Sequence, residues 1–399
     1  MLEISRLAGK WLLGSALALV LLVPSGHAHA KNGAKVLYSF QGGSDGAAPY
    51  AGLIADKAGN LYGTTYLGGG SGCDQGNGCG TVFSLANGAE TVLHAFVGQP
   101  GDGAWPWAGL IADDAGNFHG TTTAGGADAS GTVFELAAGG TETTLYTFTG
   151  GSDGGDPVGG LLADAAGNLY GTTELGGADS AGAVFMLAPD GTETVLYPFT
   201  GAADGAYPLA GLIADSAGNL YGTTSRGGAD DWGTVFKVAP DGTETVLYSF
   251  TDKGDGGFPA AGLIADKAGN FYGTTKGGGK SGIGTVFELA PDGTETVLHS
   301  FDRKTGDGAY PWAGVIADKA GNLYGTTAGG GAGNDGIVFE IASDGTETVL
   351  HAFTGGRDGA YPLGGVVADK KGNLFGTTEL GGSGSACPDG CGAIFEIRK

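Results

Sequence analysis

Short apolar runs alternate with glycine-rich breaks from Val36 to the end of the chain, and none of them has helical spacing. Residues 211 to 250 show the pattern in full. Gly211-Leu-Ile-Ala-Asp215 is a short apolar run that ends in the turn Ser216-Ala-Gly218-Asn219. Leu220-Tyr-Gly-Thr-Thr224 follows, rich in β-branched and aromatic residues, then a loop over Ser225 to Trp232. Thr234-Val-Phe-Lys-Val238 leads through Pro240-Asp241-Gly242 into Glu244-Thr-Val-Leu-Tyr-Ser-Phe250. Runs of four to seven such residues bounded by Gly, Asn, Asp and Pro predict strands joined by tight turns. We label the four strands A, B, C and D in chain order.

This unit recurs. Gly-Thr-Thr begins at Gly63, Gly120, Gly171, Gly222, Gly273, Gly325 and Gly376, at steps of 57, 51, 51, 51, 52 and 51 residues. A repeat of that length is one supersecondary unit that must stack on its neighbours to bury its faces. Four antiparallel strands repeated radially make a β-propeller. Small residues at the ends of strand A suit a crowded axis, and the bulky Tyr248 and Phe250 of strand D suit a wide outer gap. The chain also opens on a lone strand D, Val36–Phe40, and stops after a lone A-B-C set ending at Ala393–Ile397. The expected fold is therefore all-β: a seven-bladed propeller over residues 31–399, closed by pairing of the N-terminal strand D with the C-terminal strands A to C. An open solenoid has no use for that offset and needs polar capping repeats.

Gly-Leu-Ile-Ala-Asp, Gly-Asn-Leu-Tyr-Gly-Thr-Thr, Gly-Gly and Gly-Thr-Val-Phe follow one another in every copy, unchanged or with one or two substitutions in a motif. In this the chain resembles, from residue 36 to 397, the bacterial GloVer tandem repeats of the "choice-of-anchor" extracytoplasmic proteins. The resemblance implies export and residence at the surface or in the periplasm, and brings no chemistry with it. Such proteins often end in an anchoring tail. Here Arg398-Lys399 follows strand C directly, so free secretion or periplasmic residence is expected.

The N-terminus agrees with export. Arg6 and Lys10 precede the apolar run Trp11 to Val23, and Ala28-His29-Ala30 is a small-x-small cleavage site, which predicts a signal peptide over residues 1–30. The whole chain has 19 basic and 42 acidic residues, a net charge of −23. Removing Arg6, Lys10 and Glu3 leaves 19 − 2 = 17 against 42 − 1 = 41, a net of −24. Such a surface repels nucleic acid and anionic lipid. No integral membrane segment is expected after cleavage, and the chain is expected to be a monomer without a cofactor.

The connections D to A and B to C share one face of a propeller, and there the lengths vary. Gly-Thr-Thr to the glycine before strand C spans 11 residues in five blades, 17 in blade 1 (Gly63 to Gly80) and 16 in blade 7 (Gly376 to Gly392). Binding residues are commonly held on variable loops over a rigid scaffold. All four cysteines lie in those two long loops, and local bridges Cys73–Cys79 and Cys387–Cys391 are the simplest pairing. A bridge between the two loops is the alternative.

Each D-to-A loop contains Asp-Gly-x-x-Pro, with Asp45, Asp102, Asp153, Asp204, Asp255, Asp307 and Asp358. Read as a metal site, this is a ring of carboxylates for Ca²⁺; read structurally, each Asp closes its own turn, and the second reading is preferred. Before the Pro stand Trp105, Tyr207, Phe258, Tyr310 and Tyr361, with Trp107 and Trp312 after it in two copies. These aromatics, with Trp232, either grip a sugar or peptide at the rim or wedge between blades. His94, His299 and His351 replace a strand D tyrosine and His119 replaces a strand B tyrosine, so all four read as structural. Glu174 and Glu379 follow Gly-Thr-Thr where other copies have Tyr66, Thr123, Ser225, Lys276 or Ala328. They are the sole candidates for carboxylate chemistry on a glycan. The expectation is an exported, non-catalytic binding or structural module for carbohydrate or protein, with a polysaccharide hydrolase or lyase as the alternative.

Overall fold

The structure, a computed structural model, describes residues 33–399 apart from 71, 74–75, 99–100, 252 and 303–305. Residues 1–30, read above as a signal peptide, and residues 303–305 of one D-to-A loop lie outside the described residues. Seven four-stranded antiparallel sheets form a β-propeller, and no helix occurs among the described residues. Blade 4 is typical, with strands Ile213–Ala214, Leu220–Thr224, Thr234–Val238 and Glu244–Ser249 in that order. In blade 7, Lys35–Ser39 from the N-terminus pairs antiparallel with Ala393–Ile397, Val36 opposite Phe395 and Ser39 opposite Ala393.

Each residue of Gly-Thr-Thr has a separate task. A Cβ on Gly222 would lie 2.7 Å from Phe236 Cζ, so the glycine makes room for the strand C phenylalanine of its own blade. Thr223 donates its hydroxyl across the seam to the Ala261 carbonyl of blade 5, at 3.0 Å. Thr224 shares a hydrogen bond of 2.8 Å with Thr234 on strand C. The middle threonine makes its inter-blade bond at all seven seams, including Thr377 to Ala51 where blade 7 meets blade 1. Buried hydroxyls need such partners, since leaving one unpaired costs about 1–3 kcal/mol.

Phenylalanines fill the outer part of each seam. Phe250, one residue past strand D, is fully buried and meets Phe287 of blade 5 edge-on at 5.2 Å. The same T-shaped pair occurs at every seam, with Phe353–Phe395 and Phe40–Phe83 at the two where the chain ends meet. Edge-to-face contacts add roughly 0.5–1.5 kcal/mol beyond the area they bury.

Strand A is shorter than the apolar run suggests. Only Ile213 and Ala214 join the ladder in blade 4. Gly211 lies so close to blade 3 that a Cβ would sit 2.7 Å from the Gly160 carbonyl oxygen, which is the crowding that small residues relieve. At the other end Asp215 leaves the ladder for the hairpin. There it accepts bonds from the Ala217 and Asn219 backbones, Asn219 Nδ2 and the Tyr221 hydroxyl, which hold its carboxyl below the usual range against the effect of burial.

Candidate functional site

On one face each D-to-A loop is stitched to the B-to-C loop of the blade it enters. Gly103–Ala104 pairs with Ala124–Gly125 and Gly308–Ala309 with Gly329–Gly330, and single bridges such as Ala206 to Arg226 do the same elsewhere. The residue before each Pro is the hub. Tyr207 donates its N–H to Ala181 of the preceding blade at 2.8 Å and accepts from Ser225 N–H, just after Gly-Thr-Thr, at 3.0 Å. All seven hubs, Ala48, Trp105, Asp156, Tyr207, Phe258, Tyr310 and Tyr361, have φ between 51° and 59°. That left-handed conformation costs a non-glycine residue roughly 1–2 kcal/mol. None of the seven is glycine in a chain holding 85, and five are aromatic. Strain of this kind gathers where a side chain must be presented.

The presentation is outward. Tyr207, Tyr310 and Tyr361 are 38%, 38% and 37% exposed, so these three stand at the rim and are not wedged between blades. Trp105 and Phe258 are half-buried, Trp105 beside Tyr66 with centroids 6.0 Å apart and Phe258 against Trp232 at 4.3 Å. Trp232 lies over Gly257, where any Cβ would collide with the indole. A cavity of about 340 Å³ opens among Trp107, Tyr310, Trp312, Tyr361, Leu363, Asn334 and Glu379. Beside it Tyr50 stacks on Tyr66 at 4.7 Å and meets Trp107 at 4.6 Å. The Tyr50 hydroxyl lies 3.4 Å from Glu379 Oε1. Burial raises the Glu379 carboxyl above the usual carboxylate range.

Both cysteine pairs are local disulfides, Cys73–Cys79 and Cys387–Cys391. Each props one hub: Ala48 N–H donates to the Cys391 carbonyl at 3.0 Å and Trp105 N–H to that of Cys79 at 2.7 Å. The two bridges thus flank the Tyr50, Tyr66, Trp105 and Trp107 cluster. Chain-entropy arguments give about 2 kcal/mol for each loop this short. Reductant should therefore lower the melting temperature of the wild type and leave a variant with all four cysteines changed to serine unaffected. Equal melting with and without reductant would remove this role.

The ring of aspartates behaves differently from the turn expected of it. Each carboxylate reaches back to the end of the preceding strand D and not forward to the Pro. Asp204 accepts from Thr200 N–H and Oγ1 and, at 3.0 Å, from the Tyr197 hydroxyl. His94, His299 and His351 take the tyrosine position, on Asp102, Asp307 and Asp358 at 3.4, 2.9 and 3.2 Å. His119 contacts Glu135 at 3.1 Å. Facing six of the aspartates across a seam is the glutamate that begins strand D of the next blade. Glu90, Glu193, Glu244, Glu295 and Glu347 each bury an Oε1 without a hydrogen-bond partner. Burial first, and then the facing Asp, push these five up to about 7. His94, Asp102 and Glu142 have donor atoms within 4.8 Å of one another, chemistry that suits a metal. Tyr197, Asp204 and Glu244 occupy the same places at another seam, so seam packing accounts for the arrangement.

Glu174 and Glu379 are not brought together by the observed contacts. Glu379 lines the cavity, whereas Glu174 feels Asp156 and Lys276. Residue-by-residue reading overlooked Tyr50, Leu363, Asn334 and Arg226 as site residues. The signal for Tyr50 and Leu363 was present: the position after Pro is among the most variable in a repeat that is otherwise nearly constant.

No curated protein matches this sequence. Among solved structures, the extracellular domain of BT4673 from B. thetaiotaomicron is 12% identical at TM-score 0.57, over 93% of this chain and 42% of that one. A fungal alcohol oxidase of the AA5 family, in complex with copper, is 13% identical at TM-score 0.54, over 92% and 77%. XC5397, a gluconolactonase from Xanthomonas campestris, is 15% identical over 98% of both chains at TM-score 0.45. The likenesses to the first two are of fold alone. The profile of the Gloeobacter/Verrucomicrobia repeat matches residues 27–218 and 203–395, nearly the whole described propeller, and the chain belongs to that repeat family.

Proposed function

We propose that this propeller is an exported carbohydrate-binding protein that holds a glycan at the face bearing the D-to-A and B-to-C loops. The observation that carries the reading is the group of four aromatic residues around a cavity of about 340 Å³: Trp107 and Trp312, with Tyr310 and Tyr361 held in left-handed backbone. That volume falls in the range of small-molecule sites, roughly 300–1,000 Å³. Indole and phenol rings offer flat apolar area to the C–H faces of a sugar at low entropic cost. Asn334 and the Glu379 carboxyl supply hydrogen bonds to hydroxyls. Two disulfides in the loops suit an oxidising compartment, in keeping with the secretory leader read at residues 1–30. No observation favours a hydrolase built on Glu174 and Glu379.

A glycan array followed by calorimetry on the mature chain tests the reading. Trp107→Ala and Trp312→Ala should each weaken the best oligosaccharide about tenfold, the size of one good aromatic contact. Circular dichroism should remain that of the wild type. Absence of any glycan hit, or unchanged affinity in the double variant, would sink the proposal. Release of reducing ends from the bound glycan, lost in Glu379→Gln, would replace it with the enzyme.

A further inference from the structure

The cavity has a basic flank that the binding reading alone does not explain. The residue after Gly-Thr-Thr is Tyr66, Thr123, Glu174, Ser225, Lys276, Ala328 and Glu379 around the seven blades, so Lys276 is the one base in this ring. Its Nζ lies 4.1 Å over the ring of Trp312, which lines the cavity. Its backbone N–H donates to Phe258, and the Phe258 ring carries the Arg226 guanidinium at 4.4 Å. Lys276 over Trp312 and Arg226 over Phe258 are therefore two ring–cation pairs, joined by the backbone hydrogen bond from Lys276 to Phe258. Cations over aromatic faces are stabilised by the ring quadrupole, and more so when partly desolvated.

The two like charges repel one another. Burial, and then Arg226, draw the Lys276 ammonium below its ordinary range, while Glu174 opposes that. Arg226 has Asp231 at 3.4 Å, but Lys276 forms no ion pair within 4 Å among the described residues. In a chain with 42 acids and 19 bases, the one carboxylate that acts on this ammonium is Glu174, and it stands beyond ion-pair distance. An anionic guest would relieve the repulsion. The net charge of −23 argues against an extended polyanion and in favour of one carboxylate on an otherwise neutral glycan.

We propose that Lys276 and Arg226 form a carboxylate subsite beside the aromatic cavity, and that it selects glycans bearing a single uronic acid. The inference rests on the carbohydrate-binding reading and adds the charge of the ligand. Trp312 and Trp232 serve as fluorescent reporters for titration with D-glucose, D-glucuronate, its neutral methyl ester and acetate at pH 7. D-glucuronate should bind at least tenfold more tightly than glucose or the ester, and acetate should bind weakly. Lys276→Met should abolish the preference and leave glucose unchanged, Lys276→Arg should keep it, and Glu174→Gln should strengthen it by removing the competing carboxyl. Equal binding of glucuronate, ester and glucose, or a preference that survives Lys276→Met, overturns the subsite and leaves the carbohydrate reading standing. Acetate matching glucuronate overturns the sugar assignment. Failure of all the sugars, with the protein folded by circular dichroism, removes both readings.

Discussion

Replacing Phe395 by Ala is expected to cost about 3–5 kcal/mol, as for other fully buried aromatic rings. The residue is 0% exposed, on the strand C that the N-terminal strand pairs with, and its ring meets Phe353 edge-on at 5.1 Å. It also lies over Gly376, where a Cβ would come within 2.6 Å of its Cζ, so no neighbouring side chain is placed to fill the hole from that side. Phe236→Ala, at a seam far from the termini, is the control, with its own pair to Phe199 at 5.0 Å. Urea midpoints of the two variants should fall by similar amounts. A loss below about 1 kcal/mol for Phe395 alongside the full loss for Phe236 would show that the terminal seam is not packed like the others.

Acidification from pH 8 to pH 5.5 should raise the melting temperature, by roughly 5 °C or more. Five glutamates, Glu90, Glu193, Glu244, Glu295 and Glu347, sit at about 7 in the folded chain against an ordinary value of 4.5. Between those values the folded chain holds more protons than the unfolded one, so stability falls as pH rises through this window. The groups are only half-buried, so solvent screening reduces the gain from each. Relief of the net charge of −23 acts in the same direction. Changing all five to Gln keeps the shape, removes the titration and should flatten most of the slope. A wild type whose melting temperature does not change from pH 5.5 to 8, or a variant with the same slope, rules out the seam glutamates as the cause. The trend has a lower limit. Asp153, Asp204 and Asp215 are held below the ordinary 3.8 by the hydrogen bonds they accept, and the stability they contribute is lost as pH falls below that value.

Much of this could be read along the chain because the repeat presents each local rule seven times. Gly-Thr-Thr, Gly-Thr-Val-Phe and the Asp-Gly and Gly-Asn turns name their strands and hairpins through properties of a few adjacent residues. The phase of the two ends placed Val36–Phe40 in the same blade as Ala393–Ile397, and cysteine spacing pointed to the local bridges. The aromatic residues before Pro were visible as a feature that recurs in five of the seven copies.

Other features depend on residues that meet only when blades stack. Glu244 reads as a surface residue at the start of a strand, and Asp204 as a turn residue forty positions earlier; the seam sets them face to face. Whether Tyr207, Tyr310 and Tyr361 point into a seam or out to solvent depends on a backbone angle that no propensity anticipates, since left-handed geometry is disfavoured for these residues. Lys276 and Arg226 come from adjacent blades, joined through Phe258, whose carbonyl accepts from Lys276 N–H and whose ring carries Arg226. Short-range order along the chain therefore determined strands, turns and repeat count. The closed ring decided which charges and rings share a cavity, because only stacking turns positions fifty residues apart into neighbours.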